Sequence, residues 1–218
     1  MSIKGVIEAR CPKGCEAFEA EIWSFIHGDK SPELREAVAA KECNLLVCPE
    51  CQGLFFAEAP YIYFEPAADI LAFVFPESFR AEEERWRRKM AEDFISLKKA
   101  LGGKMPLDTE PELFFGLDDI AALLNAEAYR AEEVEVMEAV AAELGLCLYR
   151  VRRGFARRLG IPASLPYAPA RKGEVVTRAN MIAGLQKLLA ANDRLTAYQS
   201  YLDGLRASAE QALPPARV

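Results

Sequence analysis

The stretches CPKGC at residues 11–15 and CPECQG at residues 48–53 decide the fold of this 218-residue chain. Each reads as a tight turn with two or three residues between its cysteines, which points both sulfurs at one ion. Proline follows the first cysteine of each pair, and Gly14 and Gly53 permit backbone conformations that other residues resist. Zinc takes four ligands in a tetrahedron, and thiolates suit it. The sequence predicts one structural Zn2+ ion held by Cys11, Cys15, Cys48 and Cys51.

Other uses of these cysteines stay open at this point. Cys48 and Cys51 match a thioredoxin-like redox pair, but that motif opens a helix, whereas strand-like sequence follows here, and Cys11 and Cys15 would have no role. An iron or iron–sulfur centre is a further alternative. His27, the only histidine, is a fifth candidate ligand, but four thiolates complete the tetrahedron, so we expect a partly exposed histidine at a strand end. A closed all-sulfur site lacks an open position for water, which favours a structural ion over a catalytic one.

The remaining cysteines, Cys43 and Cys147, lie among apolar neighbours, and we expect both to be small buried hydrophobic residues. Residues 1–6 lack the apolar core of a secretion signal. No stretch approaches the roughly 18 uncharged apolar residues that span a bilayer. The sequence therefore predicts a cytoplasmic protein without a membrane segment, in which reducing conditions keep the cysteines free or metal-bound.

Residues 1–76 carry a mostly β pattern. Partial alternation over residues 17–26 predicts a strand that leaves the first cysteine pair. Residues 54–59 and 61–64 predict further strands after the second pair, with a bend at the proline between them. Residues 69–75 predict another strand. Between the two cysteine pairs, a short helix is expected to start at Ser31, as its cap, and to reach about residue 41.

The rest of the chain is mostly helical in pattern. A stripe of apolar residues predicts a helix: Trp86, Met90, Phe94, Leu97 and Leu101. After a loop that contains Pro106 and Pro111, a second helix is expected to open at residue 117 and a third to span about 131–144. Residues 146–152 fit a strand or a helix equally well. Pro162, Pro166 and Pro169 predict a linker, and two helices are expected at about 177–191 and 194–211.

These patterns predict an α+β protein with a zinc-ribbon-like antiparallel β domain followed by a helical region. Four parts are expected: a zinc-binding domain at 1–76, a helical region at 77–145, a basic segment with a proline-rich linker at 146–175, and a helical pair at 176–218.

Charge is spread unevenly along the chain, whose net charge is -6. Residues 1–79 contain six Lys or Arg against thirteen Asp or Glu, whereas the remainder is nearly balanced. An acidic zinc module is poorly suited to a phosphate backbone. The basic segment is different, and its candidate contacts for an anion or a partner are Arg150, Arg152, Arg153, Arg157 and Arg158. Such a segment is expected to be solvated surface, to dock on the acidic N-terminal region, or to bind a protein, nucleic acid or anionic lipid.

The N-terminal pattern resembles the CpXC domain proteins of bacteria, which are named for two Cys-Pro-x-Cys turns about thirty residues apart. The resemblance includes both cysteine pairs, the strand through Trp23, the helix start at Ser31 and the strand that ends at Pro76. It covers residues 9–76 and departs from the family in the first turn, which has three intervening residues instead of two. The resemblance implies a zinc-binding domain and supplies neither a substrate nor an active site.

No sequence motif indicates catalysis. The chain lacks a Gly-rich phosphate loop, a nucleophile elbow and a zinc-protease helix, and its acidic clusters read as helix faces. We therefore expect a non-enzymatic adaptor that assembles with proteins, either itself or others, through its helices. The alternatives are a nucleic-acid-associated regulator that uses the basic segment and a thiol redox protein.

Overall fold

In a computed structural model of the protein, the alternating apolar stretches of the N-terminal region become strands. The structure describes residues 1–101, 109–169, 171, 174–207 and 213–216. Contacts divide the chain into two units, Met1–Glu127 and Ala128–Val218. The strands of the first unit are β1 (Ile3–Ala9), β2 (Phe18–His27), β3 (Leu45–Val47), β4 (Leu54–Phe56), β5 (Tyr61–Glu65), β6 (Ile70–Phe75) and β7 (Glu112–Phe115).

Five of these strands form one mixed sheet in the order β1-β2-β5-β6-β7. The pairs β1–β2 and β5–β6 are antiparallel, as expected, whereas β2–β5 and β6–β7 are parallel. Parallel neighbours need a crossover connection. Helix α1 (Pro32–Ala39) lies in the first crossover and helix α2 (Glu83–Leu101) in the second. The α+β fold class is confirmed, and the sheet is mixed because helices interrupt the run of hairpins.

Two faces of the sheet bury two apolar clusters. On one face, Ile70, Ala72 and Val74 of β6 pack with Ile120 and Leu124. On the other face, alternate residues of β6 pack against α2, and this cluster includes Leu71, Phe73, Phe75, Met90 and Trp86. Every residue of β6 is buried, which is the pattern of a central strand. The predicted stripe on α2 is therefore confirmed as core over its described side chains.

The division of the chain differs from the four parts expected from the sequence. A boundary after residue 76 would strip the sheet of both covering layers, since α2 and the start of α3 (Asp118–Glu143) supply them. The sheet and its helices form one unit because an apolar sheet face must be buried against another element.

Two elements between residues 102 and 145 were predicted wrongly. The expected loop around Pro111 contains strand β7, which pairs with β6; Pro106 lies outside the described residues. The two helices expected at 117–124 and 131–144 are one helix, α3. Residues 125–130 read NAEAYR and contain neither glycine nor proline, so nothing in this stretch stops the first helix.

The second unit contains β8 (Cys147–Arg150), α4 (Arg153–Leu159), β9 (Ser164–Tyr167), α5 (Arg178–Ala191) and α6 (Thr196–Ala207). Residues 147–150, open between strand and helix in the sequence, form a strand antiparallel to β9. The linker expected from the prolines is thus wrong in part, because Pro166 lies in β9. Both strands of a two-stranded sheet are edge strands, and an edge strand tolerates proline.

The final two helices are confirmed, with Met181, Leu185, Leu202 and Leu205 in their shared core. The predicted end of the last helix at 211 lies outside the described residues. None of the helices in the described ranges has the length and apolar composition to cross a membrane.

A buried polar network ties β5 to α1 and α3. The Tyr63 hydroxyl donates to the Glu65 carboxylate at 2.5 Å. Arg35 donates to both oxygens of that carboxylate at 3.2 Å and to the Leu124 carbonyl at 3.1 Å. Gly28, just after β2, lies so close that a Cβ there would be 2.3 Å from the Tyr63 hydroxyl. The network therefore requires a residue without a side chain at position 28.

We predict that Gly28→Ala lowers the free energy of unfolding by about 1–3 kcal/mol, because the new methyl group displaces a fully buried tyrosine from its carboxylate partner. Urea denaturation of the full chain measures this change. Gly5→Ala is the matched control, since a Cβ there meets Ser24 at an ordinary 3.7 Å. Equal midpoints for the two variants would contradict the assigned role of the network.

Candidate metal centre

Each cysteine pair lies at the tip of a hairpin. The first pair connects β1 to β2, whose last register pair is Ala9 with Phe18. The second connects β3 to β4, where Val47 is opposite Leu54. Both hairpins therefore deliver two thiols from a short connection between antiparallel strands.

The backbone closes both turns. In the first, the Gly14 N–H donates to the Cys11 carbonyl at 3.0 Å, and Gly14 has a φ of +79°, as expected for a glycine in this position. In the second, the Gln52 N–H donates to the Cys48 carbonyl at 2.9 Å, and Gln52 rather than Gly53 takes the left-handed conformation. The glycine at position 53 meets a different need, because a Cβ there would lie 3.2 Å from the Cys51 sulfur and 3.3 Å from the Lys13 ammonium nitrogen.

The four predicted ligands converge. The sulfurs of Cys11, Cys15, Cys48 and Cys51 all lie within 4.8 Å of one another, and those of Cys11 and Cys51 are 3.7 Å apart. In a tetrahedron with metal–sulfur bonds of about 2.3 Å, neighbouring sulfurs are about 3.8 Å apart. The donor set therefore fits one tetrahedral metal ion, and we call these four residues the cysteine cluster.

Within the cysteine cluster, the pKa values of Cys48 and Cys15 are shifted in opposite directions. The pKa of Cys48 is lowered to about 7, first because the backbone N–H of Cys51 donates to its sulfur and then through the N–H of Glu50. The pKa of Cys15 is raised, first by burial and then by contacts with the other three thiols. Four thiols in one small volume resist full deprotonation unless a cation neutralises them. A bound metal ion would supply that charge.

Further contacts join the two hairpins in addition to the cysteine cluster. The Asn44 side-chain amide pairs with both backbone groups of Trp23 on β2, at 2.8 Å and 3.0 Å. The Phe18 and Phe55 rings meet edge to face with centroids 6.2 Å apart. The β3–β4 hairpin is thus held to β2 at its open end by Asn44, while the cysteine cluster holds its tip.

The two remaining cysteines and the histidine lie outside the cysteine cluster. Cys43 is buried in the core, as predicted, and burial raises its pKa to about 12. Cys147 is exposed, so that prediction is wrong: strand alternation turns it away from the core that Leu146 and Leu148 contact. His27 lies at the end of β2 as expected, but it is buried against Phe64, and burial lowers its pKa. It does not belong to the cysteine cluster.

The basic segment does not form one helical patch. Arg150 lies on β8, donates to the Ser164 hydroxyl at 3.0 Å and pairs with Glu138. Arg153, Arg157 and Arg158 lie on α4, and Arg152 directly precedes it. Each of these four has an interaction partner within the chain. These arginines therefore already have contacts within the chain that the sequence did not indicate.

A surface that the sequence analysis missed lies on the hairpin that carries the second cysteine pair. Four large apolar side chains alternate onto its outer side and are exposed to solvent: Leu45 by 38%, Val47 by 52%, Leu54 by 66% and Phe56 by 46%. The register pairs Leu45 with Phe56 and Val47 with Leu54, so these four form one patch, the outer hairpin face. Every residue of β3 and β4 is apolar. A continuous apolar run predicts a strand that is buried on both faces, so this pattern does not reveal that one face is exposed.

Comparison with known proteins identifies one family. The family model described as CpXC protein matches residues 9–138, more than half of the chain, so the chain belongs to this family. The match extends beyond the expected residues 9–76 and takes in α2, β7 and much of α3. No curated protein and no solved structure matches the chain.

We predict that Cys48→Ser lowers the free energy of unfolding by more than about 3 kcal/mol, because metal binding and folding are coupled in such sites. Thermal melts with and without EDTA measure the effect: the chelator should lower the midpoint of the wild-type protein and leave that of the variant unchanged. Cys147→Ser, which removes an exposed thiol outside the cysteine cluster, is the control and should behave as wild type. An unaltered melting curve for Cys48→Ser would contradict the structural role.

Proposed function

We propose that this member of the CpXC family is a non-enzymatic, zinc-stabilised interaction module of the cytoplasm that binds another protein through its outer hairpin face. Zinc is the proposed ion because it accepts four thiolates in a closed tetrahedron. Such a site has no open coordination position for a substrate or a water, which supports a structural ion.

The observation that carries the proposal is the exposure of Leu45, Val47, Leu54 and Phe56 on one side of a two-stranded sheet. Single exposed apolar residues are common, but contiguous apolar patches on soluble proteins mark interaction sites. Burying large apolar side chains in an interface is favourable in proportion to the area removed from water. A partner that covers this face would gain that free energy.

The proposed zinc ion explains how so small a surface keeps its shape. Strands β3 and β4 have three residues each, and an isolated two-stranded hairpin is at best marginally stable in water. An ion that joins the tip of this hairpin to the β1–β2 hairpin fixes its position before a partner arrives. A preformed surface loses less conformational entropy on binding.

The contact surface in this proposal differs from the helical one expected from the sequence. The apolar stripe on α2 packs against the sheet of its own unit through Trp86, Met90 and Phe94. It is therefore a poor candidate for a contact with another protein. The outer hairpin face, by contrast, is left exposed within its unit.

The alternatives draw less support. Nucleic-acid binding would rest on arginines that already have partners and would have to overcome the acidic N-terminal region. A redox role for Cys48 and Cys51 would leave the convergence of all four thiols without a purpose.

We predict that a photo-crosslinking amino acid at position 47, on the outer hairpin face, forms covalent adducts with a small, reproducible set of proteins in the native host. The same amino acid at position 129 is the matched control, because Tyr129 is 73% exposed but lies in the other unit. Mass spectrometry of the adducts provides the readout. The additional changes Leu54→Ser and Phe56→Ser should abolish the position-47 adducts while the metal content stays at the wild-type level.

Adducts that are the same at positions 47 and 129, or that persist after both serine substitutions, would contradict the proposal. So would the absence of adducts at position 47 from a protein that retains its metal.

A further inference from the structure

A groove in the first unit opens directly beside the outer hairpin face. Its volume is about 360 Å³, and Phe56 belongs both to its lining and to the outer hairpin face. Cys43, Tyr61 and Val74, which also line it, are buried core residues. Pockets that bind small ligands measure roughly 300–1,000 Å³, so this groove is at the lower end of that range and has room for a large side chain.

The rim of the groove is acidic. Its charged lining residues are Glu58, Glu77, Asp118 and Lys41, a formal net charge of -2. Lys41 pairs with Asp118, and Glu77 pairs with Arg80. Glu58 is bound by the Ser78 hydroxyl, and among the described residues it has no cationic partner. Among the described residues of the first unit, at least one rim carboxylate thus has no cation paired with it.

The chain segment around the groove is also rich in acidic residues. Between Lys41 and Arg80 the chain contains six Asp or Glu residues and no Lys or Arg. This stretch includes the whole β3–β4 hairpin, β5 and β6. An apolar surface in such a setting attracts cationic segments and repels anionic ones, including phosphate backbones and anionic lipid surfaces.

We propose that the groove is the anchor pocket of the outer hairpin face: it accepts one large apolar side chain of a partner peptide that carries Lys or Arg next to that anchor. This inference rests on the proposed function and adds the chemical class of the partner. The anchor residue is buried between Phe56 and the core residues of the groove wall. The neighbouring cations meet Glu58 and the other rim carboxylates, while the rest of the segment crosses the outer hairpin face. Buried apolar anchors with a polar rim are the usual anatomy of such contacts.

The test is a selection of short random peptides displayed on phage against the full-length, metal-loaded protein. Enriched peptides should share an aromatic or large aliphatic residue and a net positive charge. Fluorescence anisotropy of a labelled selected peptide then gives its affinity. A copy with Glu in place of each Lys and Arg, and a copy with Ser in place of the apolar anchor, should each bind at least about tenfold more weakly.

Two variants and a control examine the site itself. Ala59→Trp places a bulky ring on the groove wall, and Glu58→Lys changes the formal net charge of the rim from -2 to 0; each should weaken the selected peptide at least about tenfold. Glu36→Lys makes the same charge change on an exposed position of α1 outside the groove lining, and binding should stay within about twofold of wild type.

Enrichment of acidic peptides, unchanged binding by Ala59→Trp, or the absence of any enriched peptide would overturn the inference. So would sedimentation that shows self-association dispersed by Ala59→Trp, since the occupant would then be a second copy of the chain. If adducts at position 47 depend on the outer hairpin face while Ala59→Trp binds normally, the anchor pocket fails and the proposed function stands. If peptides bind the groove but no position-47 adducts form, the proposed function fails separately.

Discussion

The convergence of four thiols from two hairpin tips is the constraint on which the N-terminal unit depends. The hairpins are separate in sequence and belong to different sheets. β1 and β2 are anchored in the five-stranded sheet, but β3 and β4 pair only with each other among the described strands. The cysteine cluster is therefore the point at which the small hairpin gains a fixed position relative to the large sheet. The Asn44 amide reinforces that position from the open end of the hairpin, and the contact between Phe18 and Phe55 adds a second link.

This arrangement links the cysteine cluster to the exposed surface through one hairpin. The second cysteine pair joins β3 to β4, and the same strands alternate Leu45, Val47, Leu54 and Phe56 outward. A hairpin that folds on an apolar core normally hides such residues. Here the thiols take over part of the stabilising role of a core, so the apolar side chains remain available on the outside. The outer hairpin face and the second cysteine pair therefore belong to the same short hairpin.

Sequence reasoning was most successful where the signal was local. The spacing within CPKGC and CPECQG is enough to predict which four cysteines form the cluster, because each turn directs its two sulfurs whatever the rest of the chain does. The strands through Ile22 and Phe73 and the helix with Trp86 were found from periodicity, since one buried face repeats at a fixed interval. Helices α5 and α6 were also found from the sequence.

The failures were non-local. Strand β7 has four residues, and its pairing with β6 across the α2 crossover decides its structure rather than its own pattern. The burial of His27 depends on Phe64 of β5, which packs against it at the end of β2. The outer hairpin face was missed because an apolar strand reads as core unless the covering layer is known to be missing. In each case the deciding contact lies far away in the sequence.

X-ray absorption spectroscopy at the zinc edge of the full-length protein, as purified, tests the central claim most directly. The account predicts one zinc ion per chain with four sulfur neighbours at about 2.3 Å and no nitrogen or oxygen in the first shell. A first shell with fewer sulfurs, with nitrogen or oxygen ligands, or with another metal in place of zinc would contradict it.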